Sequence, residues 1–250
     1  MSLSDQSFVV TGGASGVGKA VVKKLVDQSA KVYVIDVSEI PTDHDSPGKL
    51  VPFSGVDISS RQAVKSVFDE ISRQDSELRG LVNCAGILRP TSDYSNSDES
   101  FRLLWEVNVI GTWNTNTEFF QFIKSSREKS SGSDAKHPAV SIVNVGSMAS
   151  VRGFVGLSGY VASKHAVLGL SRTFAQEWGP QGFRVNTVAP GGINTPMIQG
   201  ITQDWDNLAY KGAFKQLSEP EEIADTIIYL LGDNSSSISG QVIEVNGGWP

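Results

Sequence analysis

The stretch "SFVVTGGASGVGKAVVKKLV", Ser7 to Val26, sets the reading of the whole chain. It begins as a short β-branched run, breaks at glycines, and continues as an amphipathic segment of helix length. Gly12, Gly16 and Gly18 punctuate the turn. Backbone N–H groups at such a turn, with the N-terminus of the helix it opens, form an anion site that side chains would obstruct. A glycine triplet means little by itself, but between a first strand and a helix it points to the pyrophosphate of a dinucleotide.

Outward from that turn, the next run, "KVYVIDV", carries Asp36 at its end. A carboxylate at the end of a second strand suits the hydroxyls of an adenosine ribose and disfavours a 2′-phosphate; an acid that merely ends a strand is the alternative. Further runs, "LVPFSGVD", "LRGLVNCAG", "AVSIVNVGS", "GFRVNTVAPGG" and "GQVIEVNGG", alternate with helix-length stretches. This alternation implies an α/β fold: a doubly wound, Rossmann-type parallel sheet with helices on both faces. Nearly every run ends in Gly, Asn, Asp or Ser, and ligands of open α/β sheets bind beyond the carboxyl ends of the strands.

The chain has 250 residues, without an internal repeat or linker, which fits a single dinucleotide-binding catalytic domain over 1–250. Two segments break the rhythm. Ser125 to Pro138, "SSREKSSGSDAKHP", reads as an exposed helix end running into a flexible loop. Residues 191–216 carry Trp205, Leu208, Tyr210 and Phe214 among polar residues and read as a lid over a substrate pocket, with a helix docked on the core as the other possibility.

A net charge of −6 without a basic stripe leaves no footprint for nucleic acid. No apolar run approaches the roughly 20 residues that span a bilayer, so no membrane is expected and the protein reads as cytoplasmic. The lone cysteine, Cys84, rules out an internal disulfide and a cysteine-cluster metal site; it reads as a small buried hydrophobe, and no metal is expected.

A later segment, "SGYVASKHAVLGLSRTFAQEW", Ser158 to Trp178, reads as a long helix with Tyr160 and Lys164 one turn apart on one face. Taken alone, that spacing also describes a solvated helix edge. Its company decides: T-G-x-x-x-G-x-G after the first strand, "NCAG", Ser147 upstream of Y-x-x-x-K, and "APGG" after the next strand. In this order the motifs resemble the short-chain dehydrogenase/reductase family over essentially the whole chain.

The resemblance implies a catalytic set of Asn108, Ser147, Tyr160 and Lys164. It also implies that Thr11, Gly12, Gly16, Val17 and Gly18 form the pyrophosphate loop, that Asp36 holds the ribose, and that Asp57 and Ile58 meet the adenine. Asn83, Ala85 and Gly86 match the family's N-N-A-G, from which Cys84 departs at the second position. Pro190, Gly191, Ile193 and Thr195 match the segment at the nicotinamide end. Ser15 and Val37 complete the cofactor set; they stand where NADP-selective relatives usually carry Arg or Lys, so NAD is the implied cofactor.

In this picture Tyr160 exchanges a proton with the substrate oxygen, Ser147 fixes that oxygen, Lys164 lowers the phenol's pKa and holds the nicotinamide ribose, and Asn108 holds a water that links Lys164 to solvent. A phenol that works as a base near neutrality needs about 3 to 4 kcal/mol of help, which one lysine charge about 4 Å away supplies. His165 points about 100° away around the helix. Phe154, Leu157, Met197 and Trp205 suggest an apolar or cyclic substrate; Arg89 and Arg152 could meet an anion but read as solvated.

The implied activity is NAD(H)-dependent interconversion of a secondary alcohol and a ketone on a small molecule, in a homotetramer or homodimer. The other possibility is a non-redox nucleotide-binding member of the fold, such as a cyclase, isomerase or regulator.

Overall fold

The computed structural model describes residues 3–42, 46–91, 94, 97–130, 139–199 and 212–249. The chain opens with β1 (Ser7–Thr11), α1 (Gly16–Asp27), β2 (Lys31–Ile35), β3 (Lys49–Phe53), α2 (Arg61–Gln74) and β4 (Gly80–Asn83). α3 (Asp98–Trp105), a π-helical turn (Glu106–Gly111) and α4 (Thr112–Ser130) then form one long interrupted element. β5 (Val140–Val145), α5 (Ser158–Trp178), β6 (Phe183–Pro190), the short α6 (Pro196–Gln199), α7 (Pro220–Leu231) and β7 (Val242–Val245) complete it. Each of the runs read as strands forms one.

The strands make one seven-stranded sheet in the order β3-β2-β1-β4-β5-β6-β7. Every pairing is parallel; Val9, for example, is paired with Tyr33 on one side and Leu81 on the other. Alternation along each strand supplies two cores. Val10, Val34, Val82, Val143 and Val188 face α1 and α7, where they meet Val21, Leu25, Ile223 and Ile227. Val9, Tyr33, Leu81, Ile142 and Val185 face α2, α4 and α5, where they meet Phe68, Ile71, Phe119 and Phe174. Both faces of the sheet are therefore apolar, which is why its strands read as continuous β-branched runs.

Consecutive connections run outward from β1 to β3, then return across to β4 and run the other way. The reversal between β1 and β4 opens a crevice at their carboxyl ends, the place where such sheets bind ligands. The long element around Asn108 starts at Asp98, and its regular winding is broken by the π turn that contains Asn108. Trp205, Leu208, Tyr210 and residues 131–138 lie outside the described residues, as does the middle of the 191–216 lid segment. Among the described residues no helix is long and apolar enough to cross a membrane.

Candidate active site

At the crevice the chain leaves β1 through Gly12, whose φ of +68° suits glycine and whose added Cβ would lie 2.6 Å from the backbone nitrogen of Ala85. Gly18, in the first turn of α1, packs its Cα onto the carbonyl of Gly12, so a side chain there would be driven into the loop. The glycines thus do two jobs: they close the loop onto β4 and α1, and they leave its outer surface bare. That surface forms one end of a cavity of about 530 Å³.

From Ser15, Gly16, Val17 and Gly18 the cavity runs past Asp36, Val37, Asp57 and Ile58 on one side. It continues along Ala85 and Gly86 to Ser147, Tyr160 and Lys164, closed by Pro190, Gly191, Ile193 and Thr195. Thr195 stands across from the glycine loop, its Cγ2 3.3 Å from where a Cβ on Gly16 would be. Asp36 is nearly buried and already serves the loop: its carboxylate accepts the N–H of Ala14 at 2.9 Å and the N–H of Ser38 at 2.9 Å. Each oxygen keeps lone pairs for a further donor from the cavity.

Three of the expected site residues do not line this space. The Thr11 hydroxyl accepts the N–H of Ala85 at 3.2 Å. Asn83 donates to Asn144 Oδ1 at 2.7 Å and accepts from Thr115 at 2.7 Å. Their position explains the difference, because a side chain on the last strand residue projects into the layer between sheet and helices, while the crevice lies beyond the strand end. Asn108 is the third. Its Oδ1 accepts the Ile87 N–H at 2.8 Å, and its Nδ2 donates to Ile87 O and to Ser163 Oγ, both at 3.0 Å. The π turn aims this side chain at the loop after β4, and the asparagine staples that loop to α5; such turns recur at functional sites.

On α5, Tyr160 and Lys164 are both buried, and Lys164 Nζ lies 5.7 Å from the centre of the Tyr160 ring. The two form one unit at the cavity wall. Their electrostatics differ from the expected picture. Burial pushes the Tyr160 phenol up to about 12, against a smaller downward pull from the Ser147 hydroxyl. Burial also pulls Lys164 down to about 8. The Lys164 ammonium donates to Val145 O at 2.9 Å, and burial is the largest influence on the phenol. At neutral pH the pair is a neutral acid beside a cation, an arrangement able to hand a proton to an oxygen held at Ser147. The Cys84 thiol, also on the wall, is pushed up to about 12 by burial and stays protonated.

Beyond Tyr160 the cavity is apolar. Phe154, Leu157 and Met197 line it as expected, joined by Leu88 and Met148 and by Trp249, which sequence reading missed. Trp249 stacks on Phe154 with centroids 5.4 Å apart and an angle of 14°. Asn246 Oδ1 accepts the N–H groups of Gly248 and Trp249 at 3.0 and 3.1 Å, which folds the segment after β7 back over the crevice. The signal that marks Trp249 is its place just past the glycine pair that ends the last strand. Arg152 corrects an expectation: it is engaged, not simply solvated, with Glu244 at 2.7 Å and the Trp249 ring at 5.3 Å. Arg89 is exposed, and His165 is turned to Val161 O at 2.9 Å, away from the cavity lining.

A family model described as enoyl-(acyl carrier protein) reductase matches residues 12–250. The 3-oxoacyl-[acyl-carrier-protein] reductase of Thermotoga maritima is 31% identical over 99% of this chain and 99% of its own. Levodione reductase of Leifsonia aquatica is 28% identical over 98% of this chain and 94% of its own. Among solved structures, a short-chain dehydrogenase from Mycobacterium paratuberculosis bound to NAD superposes with a TM-score of 0.84 at 28% identity, covering 99% of this chain and 98% of that one. With the strand order, the glycine loop and the Ser147, Tyr160 and Lys164 cluster in place, these likenesses establish that the chain belongs to the short-chain dehydrogenase/reductase family of oxidoreductases, whose members use nicotinamide cofactors.

Proposed function

We infer that the protein is an NAD(H)-dependent dehydrogenase/reductase that interconverts a secondary alcohol and a ketone on a small, uncharged, apolar or cyclic molecule. The observation that carries this reading is the cluster of half-buried Ser147 with buried Tyr160 and Lys164 at the junction between a dinucleotide-sized cavity and an apolar recess.

The bare glycine loop suits a pyrophosphate, Asp36 suits the ribose hydroxyls, and Pro190 to Thr195 close the far end. A bound nicotinamide supplies or takes the hydride. The chain's own residues manage the oxygen. Ser147 donates a hydrogen bond to it, and Tyr160, held protonated by burial, gives it the proton that a reduction requires. Lys164 lies beside Gly86, 3.5 Å from where a Cβ would be, and can reach a ribose over that glycine. Asn108, stapling Ile87 and Ser163, holds the frame; a water relay from it to Lys164 belongs to this proposal. Reduction uses the protonated phenol and oxidation the phenolate, so the rate of oxidation is expected to rise with pH.

The apolar recess supports the substrate class, since no charged side chain among the described residues lines it beyond Lys164. Phe101, Trp105, Ile110 and Trp113 lie partly exposed along α3, the π turn and α4, which supports burial between copies in a homodimer or homotetramer; a cytoplasmic location belongs to the same proposal. The NAD-bound relative supports the nucleotide.

The test follows absorbance of the reduced nicotinamide across a panel of cyclic and acyclic ketones with each nucleotide. The expected result is reduction of cyclic or apolar ketones, with kcat/KM for NADH at least about ten times that for NADPH, because the Asp36 carboxylate repels a 2′-phosphate and neither Ser15 nor Val37 offers a cation. Binding of NAD⁺ without turnover of any ketone or alcohol would favour the non-redox reading.

A further inference from the structure

Helix α5 carries Tyr160 in its first turn but has no cap of its own: Leu157 precedes it and offers no oxygen to the orphan N–H groups there. The cap comes from elsewhere in the chain. Thr91, in the segment after β4, accepts the N–H of Gly159 on its hydroxyl at 2.9 Å. The same hydroxyl shares a hydrogen bond with Ser158 Oγ at 3.0 Å, and the Thr91 N–H donates to Gly156 O at 2.9 Å. Thr91 is only 2% exposed. Its methyl group lies 3.0 Å from where a Cβ on Gly159 would be, so the glycine is what lets the two segments approach this closely.

Gly159 immediately precedes Tyr160, so the amide that Thr91 holds is one peptide from the phenol-bearing residue. The segment that carries Thr91 also supplies Ile87 and Leu88 to the cavity wall. Its other end is fastened to α5 by Asn108, through Ile87 and Ser163. Tyr160 thus sits between two fastenings, Thr91 to Gly159 before it and Asn108 to Ser163 after it.

We propose that Thr91 is a positioning residue for Tyr160: by capping α5 from outside the helix, it sets the phenol's position relative to Ser147 and ties that position to the cavity wall at Ile87 and Leu88. The proposal rests on the reading of Tyr160 as the proton donor. A displacement of about 1 Å is enough to cost about 100-fold in rate, and an uncapped first turn is where α5 would give.

The experiment compares Thr91→Val, which keeps the shape and removes the hydroxyl, with Thr91→Ser, which keeps the hydroxyl, alongside Tyr160→Phe, in the full chain with NADH and a ketone that the parent reduces. Thr91→Val is expected to lower kcat about 10- to 100-fold, to shift the pH profile of kcat, and to leave the Kd for NADH within about 2-fold; Thr91→Ser is expected to stay within about 3-fold of the parent. Should the valine variant not fold, Thr91→Ala is measured at a temperature where it is folded, with the same expected loss and pH shift. Parental turnover in Thr91→Val while Tyr160→Phe is inactive would overturn the positioning role, as would an unshifted pH profile or a serine variant as impaired as the valine one. Parental turnover in Tyr160→Phe would instead overturn the proton-donor reading, and the Thr91 proposal with it.

Discussion

The two ends of the cavity are built on different plans. The nucleotide end is made mostly of backbone: a glycine loop between β1 and α1, and a carboxylate, Asp36, that is itself tied to that loop through Ala14. The substrate end is made of side chains, with Leu88 from after β4, Met148, Phe154 and Leu157 from between β5 and α5, Met197 from α6 and Trp249 from beyond β7. A pyrophosphate needs N–H groups and room, which one short turn provides. An apolar substrate needs a shaped wall, which only distant segments brought together can provide. Changes at the first end should therefore be felt by any nucleotide, and changes at the second by the substrate alone.

The largest effect is expected where the two ends meet. Tyr160→Phe should lower kcat at least about 100-fold while the Kd for NAD⁺ stays nearly constant, read by single-turnover kinetics and fluorescence titration. Turnover within a few-fold of the parent would remove Tyr160 from the chemistry.

Gly18→Ala tests the backbone end. Its Cβ would meet the Gly12 carbonyl, so the loop must open or α1 must shift, at about 1 to 3 kcal/mol. The expected result is a Kd for NAD⁺ raised more than about 10-fold with a lowered Tm, both from calorimetry. An unchanged Kd would mean that the loop is not the phosphate site.

Trp249→Ala tests the other end. Removing the ring that stacks on Phe154 should raise KM for a cyclic ketone about 5- to 10-fold and leave the Kd for NAD⁺ alone. Equal effects on both would erase the distinction between the two ends.

The smallest effect concerns stability. The folded state holds Lys164 at about 8, below its ordinary 10.5. Between those values the unfolded chain binds more protons, so the parent gains stability as pH rises through that window. It carries the cost of the buried charge below it. Lys164→Met lacks this term. The parent should therefore gain about 1 kcal/mol relative to the variant between about pH 7 and about pH 9, measured by urea unfolding. A constant difference would show that Lys164 keeps its ordinary proton affinity in the fold.

Much of this was legible in the chain itself, for physical reasons that can be named. Strands covered on both faces must be apolar throughout, so runs such as "KVYVI" and "AVSIVNV" announce a parallel sheet. Gly12 and Gly18 are readable because no other residue fits where they stand. Tyr160 and Lys164 are readable because helical spacing brings them together whatever surrounds them. Asn83 and Asn108 show the limit of that legibility. Both stand in motifs, yet their side chains are engaged inside the structure, with Asn144 and Thr115 in one case and with Ile87 and Ser163 in the other. A motif gives a residue's place along the chain, not the direction of its side chain.

Local order therefore determined what depends on neighbours in sequence: the alternation of strands and helices, the glycine loop, the acid after β2, and the tyrosine and lysine one turn apart. Only the tertiary structure decided what depends on desolvation and long-range approach. Burial, a property of the whole fold, pushes the Tyr160 phenol up and pulls Lys164 down, which helical spacing alone does not announce. Trp249 joins the cavity because β7 lies beside β6 and Asn246 turns the chain back. Thr91 caps a helix that begins 67 residues further on, at Ser158. Contacts of that separation leave no periodic trace in a sequence, because either partner alone is an ordinary residue until the fold brings the other to it.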